Sequence, residues 1–79
     1  MLNKSFGKVL RRLREEKGFS QESFGFQADL HRTYVSQLER GLKSPTLIIV
    51  SRICKALSIT MSEFLLMVEE EEEKAKMNQ

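Results

Sequence analysis

Apolar residues recur along this chain at helical rather than strand spacing. Phe6, Val9, Leu10 and Leu13 stand at i, i+3, i+4 and i+7, the stripe of an amphipathic helix, while Lys8, Arg11, Arg12, Glu15 and Glu16 fill the other face. The pattern predicts a first helix over 5–17, ended by Gly18, which suits the left-handed conformation that follows a last turn. Ser20 reads as the N-cap of a second short helix reaching about residue 28, with Glu22 in its first turn. Asp29 tolerates a tight turn or a positive φ. A third helix is predicted over 31–40, with Val35 and Leu38 inward and Gly41 closing it. Leu42-Lys43-Ser44-Pro45 then leads to a fourth helix beginning near Thr46, with Pro45 in its first turn and Ile49, Ile53, Cys54 and Leu57 inward. A fifth helix starts near Thr60 or Ser62 and carries Phe64, Leu65, Met67 and Val68 into the acidic run 69–73. With no strand-like alternation and no repeat, five closely spaced helices predict an all-α fold.

Length and composition narrow the classes. A chain of 79 residues is one domain near the lower limit at which a single core suffices, so oligomerisation is the expected source of added stability. The expected division is a domain over 1–68 and an acidic C-terminal tail over 69–79, with Glu69 to Glu73 a solvated, frayed end. Phe64, Leu65, Leu66, Met67 and Val68 are more apolar residues than one side of a terminal helix can bury. Phe64, Leu65, Met67 and Val68 are therefore assigned to a homodimer interface built from the fourth and fifth helices. The single Cys54 excludes an internal disulfide and reads as an inert core thiol, and with His31 alone it cannot complete a zinc site. No metal or cofactor is expected. Neither a nucleophile–base pair nor a phosphate-cradling glycine loop is present, so no enzyme is expected. The absence of an export signal and of any apolar run longer than Leu47 to Val50 predicts a cytoplasmic protein with no membrane partner.

The net charge of +2 says little, but its distribution says more. From Met1 to Lys55 eleven basic residues face five acidic ones, and from Ala56 onward two face six. A basic body with an acidic end fits a face that meets phosphate, although a solvated surface with an acidic tail fits the charge equally well.

Residues 20–41 carry the functional signal. Two helices of about eight residues joined by a turn of about three or four cannot pack antiparallel and must cross steeply, as in a DNA-binding helix-turn-helix. Gly25 and Ala28 supply the small residues that such a crossing needs, and Gly25 is otherwise a poor helix former. With Val35 and Leu38 inward, the third helix turns Arg32, Thr33, Ser36 and Gln37 outward. Arginine pairs bidentately with guanine and glutamine with adenine, and threonine offers a hydroxyl and a methyl. A generic solvated helix would carry Glu and Lys there.

The runs Arg14-Glu15-Glu16-Lys17-Gly18-Phe19-Ser20-Gln21-Glu22 and His31-Arg32-Thr33-Tyr34-Val35-Ser36-Gln37-Leu38-Glu39-Arg40-Gly41, continued through Pro45 and Ala56-Leu57 to Phe64, resemble the phage repressor and Cro-type (xenobiotic-response-element type) helix-turn-helix family. The chain is similar in particular to the compact controller proteins of restriction–modification systems. The resemblance implies a compact five-helix lambda-repressor-like DNA-binding domain. It also implies a role for each matching residue. Arg32, Thr33 and Gln37 would read bases. Gln21 would contact a phosphate and brace the recognition helix, while Tyr34 and Ser36 flank the readers. Arg40, Lys43 and Ser44 would hold phosphates, and Arg14 and Glu39 would form a structural ion pair. His31 is expected to be a substitute cap or a phosphate contact. The family usually has Ala, a polar residue and Gly where this chain has Gly25, Phe26 and Asp29. Phe26 fits an exposed aromatic, a core contributor or part of an interface. The function implied is a transcriptional regulator, repressor or activator. It would bind a palindromic double-stranded operator as a homodimer, with half-sites about 10–10.5 base pairs apart and RNA polymerase as a possible contact. The alternative is an antitoxin-like regulator whose main partner is a toxin protein.

Overall fold

In the computed structural model, which describes residues 1–78, the chain forms α1 (Leu2–Glu16), α2 (Gln21–Ala28), α3 (Arg32–Glu39), α4 (Leu47–Leu57) and α5 (Met61–Met77). Gln79, the last residue of the acidic stretch, lies outside the described residues. Among the described residues there is no strand, and no helix is long and apolar enough to cross a membrane.

Each short helix starts where a side chain satisfies a free backbone N–H. Ser20 Oγ accepts from the Ser23 N–H at 3.0 Å and Ser23 Oγ accepts from the Ser20 N–H at 2.9 Å, a reciprocal cap. Thr46 and Thr60 cap α4 and α5 one way only, each accepting from a single backbone N–H, those of Ile49 and Glu63. Thr46 is therefore outside α4, and Pro45 precedes the cap rather than occupying the first turn. Asp29, at φ 57°, takes the left-handed conformation expected of it and ends α2. α1 begins earlier than its apolar stripe, because nothing between Leu2 and Ser5 breaks a helix and Ser5 and Phe6 are both buried.

The core lies between α1, α5 and the α2–α3–α4 layer. In α4 the buried stripe is Val50, Ile53, Cys54 and Leu57, with Ile49 only half-buried, so the inward face is rotated from the expected one by one residue at its start. Cys54 is free and buried, and burial pushes its thiol pKa up, away from the reactive thiolate.

Two of the residues assigned to a dimer interface belong elsewhere. Phe64 and Val68 are fully buried in the chain's own core, where the Phe64 ring meets Phe6 edge-on at 5.1 Å. They stand i, i+4 on the α5 face that packs against α1, while Leu65 and Leu66 face solvent and Met67 is half-buried against the core. Nor do Glu69 to Glu73 form a frayed end. They continue α5, where Glu71 pairs with Arg12 at 3.6 Å and Glu72 accepts from the Ser5 hydroxyl at 2.6 Å.

α1 also passes very close to the end of α3. A Cβ on Gly7 would sit 2.5 Å from the carbonyl oxygens of both Leu38 and Glu39. Helix propensity favours Gly7→Ala by about 1 kcal/mol, whereas overpacking against backbone costs about 1–3 kcal/mol. Urea denaturation of Gly7→Ala should show net destabilisation, and a stabilised variant would refute the close approach. The α1–α5 contact should respond to acid as well. The Ser5 hydroxyl holds the Glu72 carboxyl below its ordinary pKa, against a smaller opposing effect of burial. Such a group adds stability above its unfolded pKa and loses it as pH falls through the folded value. Stability measured from neutral pH down through the carboxylate range should fall less steeply in Ser5→Ala than in the wild type.

Candidate nucleic-acid interface

α2 and α3 are joined by only Asp29, Leu30 and His31. The Leu30 N–H donates back to the Gly25 carbonyl at 2.7 Å, and a Cβ on Gly25 would collide with the Leu30 carbonyl oxygen. Gly25 is thus required by close approach, as its poor propensity implied. His31 caps α3, its Nδ1 accepting from the Thr33 N–H at 3.0 Å.

The end of α3 is held by a buried ionic cluster. Arg14 donates from Nε to Glu39 Oε2 at 2.6 Å and from Nη2 to Glu39 Oε1 at 3.0 Å, a bidentate pair. Its Nη1 donates to the Phe19 carbonyl at 2.8 Å, and Gln21 Nε2 donates to Glu39 Oε1 at 3.0 Å. Arg14 and Glu39 side chains are 8% and 4% exposed, so both charges are taken from water and answered by each other. The Glu39 hydrogen bond raises the Arg14 pKa, outweighing the opposing effect of burial. The four residues tie α1, the loop after it, α2 and α3 at one point. Gln21 keeps a second amide hydrogen for another acceptor.

With that end fixed, α3 presents its opposite side. Arg32 and Thr33 are exposed, and Tyr34, Ser36 and Gln37 are half-buried beside them. Arg40 is exposed, with Nε donating to the Ser36 carbonyl at 3.4 Å. Lys43 and Ser44 are exposed on the following loop, where Ser44 Oγ donates to Asn3 Oδ1 at 3.0 Å. Of the sequence-predicted residues, Arg32, Thr33, Gln37, Arg40, Lys43 and Ser44 line α3 and the loop after it. Gln21 and His31 serve that helix from its flanks. Phe26 is 88% exposed on α2. Phe64 and Val68 lie in the core, and Leu65 and Met67 are on α5. Among the described residues no His, Cys, Asp and Glu cluster is arranged to hold a metal ion.

Sequence reasoning missed Gly7, which lets α1 approach α3 closely. The available signal was a glycine in the middle of an amphipathic helix, seven residues before Arg14 and so on the same face.

The profile of the Helix-turn-helix family matches residues 10–64. The control protein C.MunI of Mycoplasma sp is 45% identical over 67 residues, covering 84% of this chain and 90% of that protein. The control protein C.BamHI of Bacillus amyloliquefaciens is 41% identical over 61 residues, covering 76% and 75%. Among solved structures, the restriction–modification controller protein C.Esp1396I, a tetramer in complex with its natural 35 base-pair operator, superposes with a TM-score of 0.82. It is 31% identical, over 90% of this chain and 93% of that one.

Removing one member of the buried pair leaves the other charge alone, which costs about 3–5 kcal/mol. Arg14→Ala should therefore lower the urea midpoint severely. The double substitution Arg14→Met, Glu39→Met should cost less than Arg14→Ala, because no charge is stranded. A double variant as weak as the sum of its singles would show that the two residues do not act as a pair.

Proposed function

The chain belongs to the helix-turn-helix family, and from that membership we propose that it is a sequence-specific DNA-binding transcriptional regulator serving as a restriction–modification controller. The observation that carries this is the outward face of α3, with Arg32, Thr33 and Gln37 presented on a helix whose other end is locked by Glu39. The likeness to C.MunI and C.BamHI supports the controller role, and the operator complex of C.Esp1396I supports duplex DNA as the partner.

In this reading Arg32, Thr33 and Gln37 contact base edges in the major groove. Tyr34 and Ser36 flank them, and Gln21, His31, Arg40, Lys43 and Ser44 lie against the phosphates. Two copies pair through the apolar surface that α4 and α5 leave exposed, where Leu47, Ile48, Leu65 and Leu66 are 71%, 67%, 40% and 55% accessible. Leu65 borders an apolar cavity of about 210 Å³ that Leu2, Phe6, Pro45 and Val50 also line, a recess for a side chain of the second copy. A two-fold dimer matches a palindromic operator with half-sites about one helical turn apart. Occupancy at a promoter would repress by occlusion or activate by contact with RNA polymerase, in the compartment that holds the DNA.

Selection of fragments from sheared genomic DNA by the purified protein tests this. The expected outcome is a palindrome enriched upstream of its own gene and a neighbouring methyltransferase or nuclease gene. Enrichment at unrelated promoters would keep the regulator and remove the controller role. No enrichment at low salt would remove both. On the selected duplex, Arg32→Ala should cost about 1–3 kcal/mol and relax discrimination at one base pair, whereas Lys43→Ala should weaken all sequences alike. Uniform weakening by both substitutions would contradict base reading by Arg32.

A further inference from the structure

The start of α1 lies against the loop that leaves the recognition helix. Ser44 Oγ donates to Asn3 Oδ1 at 3.0 Å, fixing the loop to the first turn of α1. Gly41 is left-handed at φ 76°, and a Cβ there would lie 2.7 Å from Lys4 Cγ and 3.0 Å from Lys4 Cα. The stem of Lys4 thus crosses directly over the residue that ends the recognition segment. Arg40 precedes Gly41 in the chain and Lys43 stands two residues after it. All three cations are exposed, and none makes an ion pair among the described residues. The carboxylate at this end of α3, Glu39, is already engaged by Arg14 and Gln21 and does not neutralise the edge.

A single lysine beside the C-terminus of a helix can be there for the helix dipole alone. Three unpaired cations around one glycine exceed that need and leave a concentrated positive edge facing solvent. We propose that Lys4 is a phosphate-binding residue which, with Arg40 and Lys43, forms a basic edge gripping the DNA backbone beside the recognition helix. The proposal rests on the DNA-binding reading above and extends the DNA contact to α1. The backbone is its ligand, so Lys4 contributes affinity and register but no base preference.

The test compares wild type, Lys4→Gln and Lys4→Arg on two fluorescent duplexes across a salt series. One duplex is recovered by the protein from sheared genomic DNA, and the other is a scrambled duplex of the same length. Loss of one phosphate contact per protomer should make the slope of log Kobs against log salt shallower by about 0.9 per protomer, or about 1.8 for a dimer. Lys4→Gln should weaken both duplexes by the same factor, and Lys4→Arg should restore the wild-type slope. A Lys4→Gln slope equal to wild type overturns the proposal, including the case in which only the urea midpoint falls, as a helix-dipole role would give. Wild-type protein that holds neither duplex at low salt overturns this proposal together with the DNA-binding reading.

Discussion

The Arg14–Glu39 pair is buried where α1, the loop after it, α2 and α3 converge, and the placement of the recognition helix depends on it. Two charges taken from water need each other in one geometry, and a bidentate guanidinium–carboxylate contact allows little tilt or slide. The Phe19 carbonyl and the Gln21 amide use further hydrogen-bonding capacity of the pair, and no buried side-chain polar atom is left unpartnered among the described residues. The apolar core sets how tightly the helices pack. The ionic cluster sets where the end of α3 stands relative to α1.

α1 therefore connects α3 with α5. On one side Gly7 brings it against the last turn of α3, and Asn3 and Lys4 meet the loop beyond it. On the other side Phe6 packs on Phe64, and Ser5 and Arg12 reach Glu72 and Glu71 of α5. The exposed Leu65 and Leu66 of α5 and the outward face of α3 thus belong to helices that both pack on α1, while α4 packs on α2 and α5. In the proposed dimer, a contact made by α5 would be relayed to α3 through α1 and not through a flexible linker.

Much of this organisation was legible in the residues. The apolar spacings along the chain pointed to five helices, the Ser20 cap and the Asp29 turn to the helix-turn-helix, and the mismatch of Gly25 with helix propensity to the tight crossing. What escaped was information held only between elements. An excess of apolar residues in 64–68 shows that some must face outward, but the choice is made by how α5 rotates onto α1, and that rotation buries Phe64 and Val68. The acidic run read as solvated because its composition is uniform. Once the helix continues past Val68, Glu72 follows at i+4 and lands on Ser5. Gly7 escaped because its neighbours, the carbonyls of Leu38 and Glu39, are more than thirty residues away. The contact roles of Arg32, Thr33 and Gln37 come from side-chain chemistry and resemblance, with the fold supplying their placement.

The structure keeps the residues that hold α3 apart from those proposed to read DNA. Arg14, Gln21 and Glu39 hold the helix from its buried side, while Arg32 and Thr33 face solvent and make no side-chain hydrogen bond among the described residues. Substitutions at exposed positions of this kind change stability by only about ±0.5 kcal/mol. Exchange of the proposed reading residues should therefore leave the scaffold nearly as stable as before. On the proposed reading, one framework could carry regulators that ignore each other's operators, which makes the molecule a natural starting point for recoding.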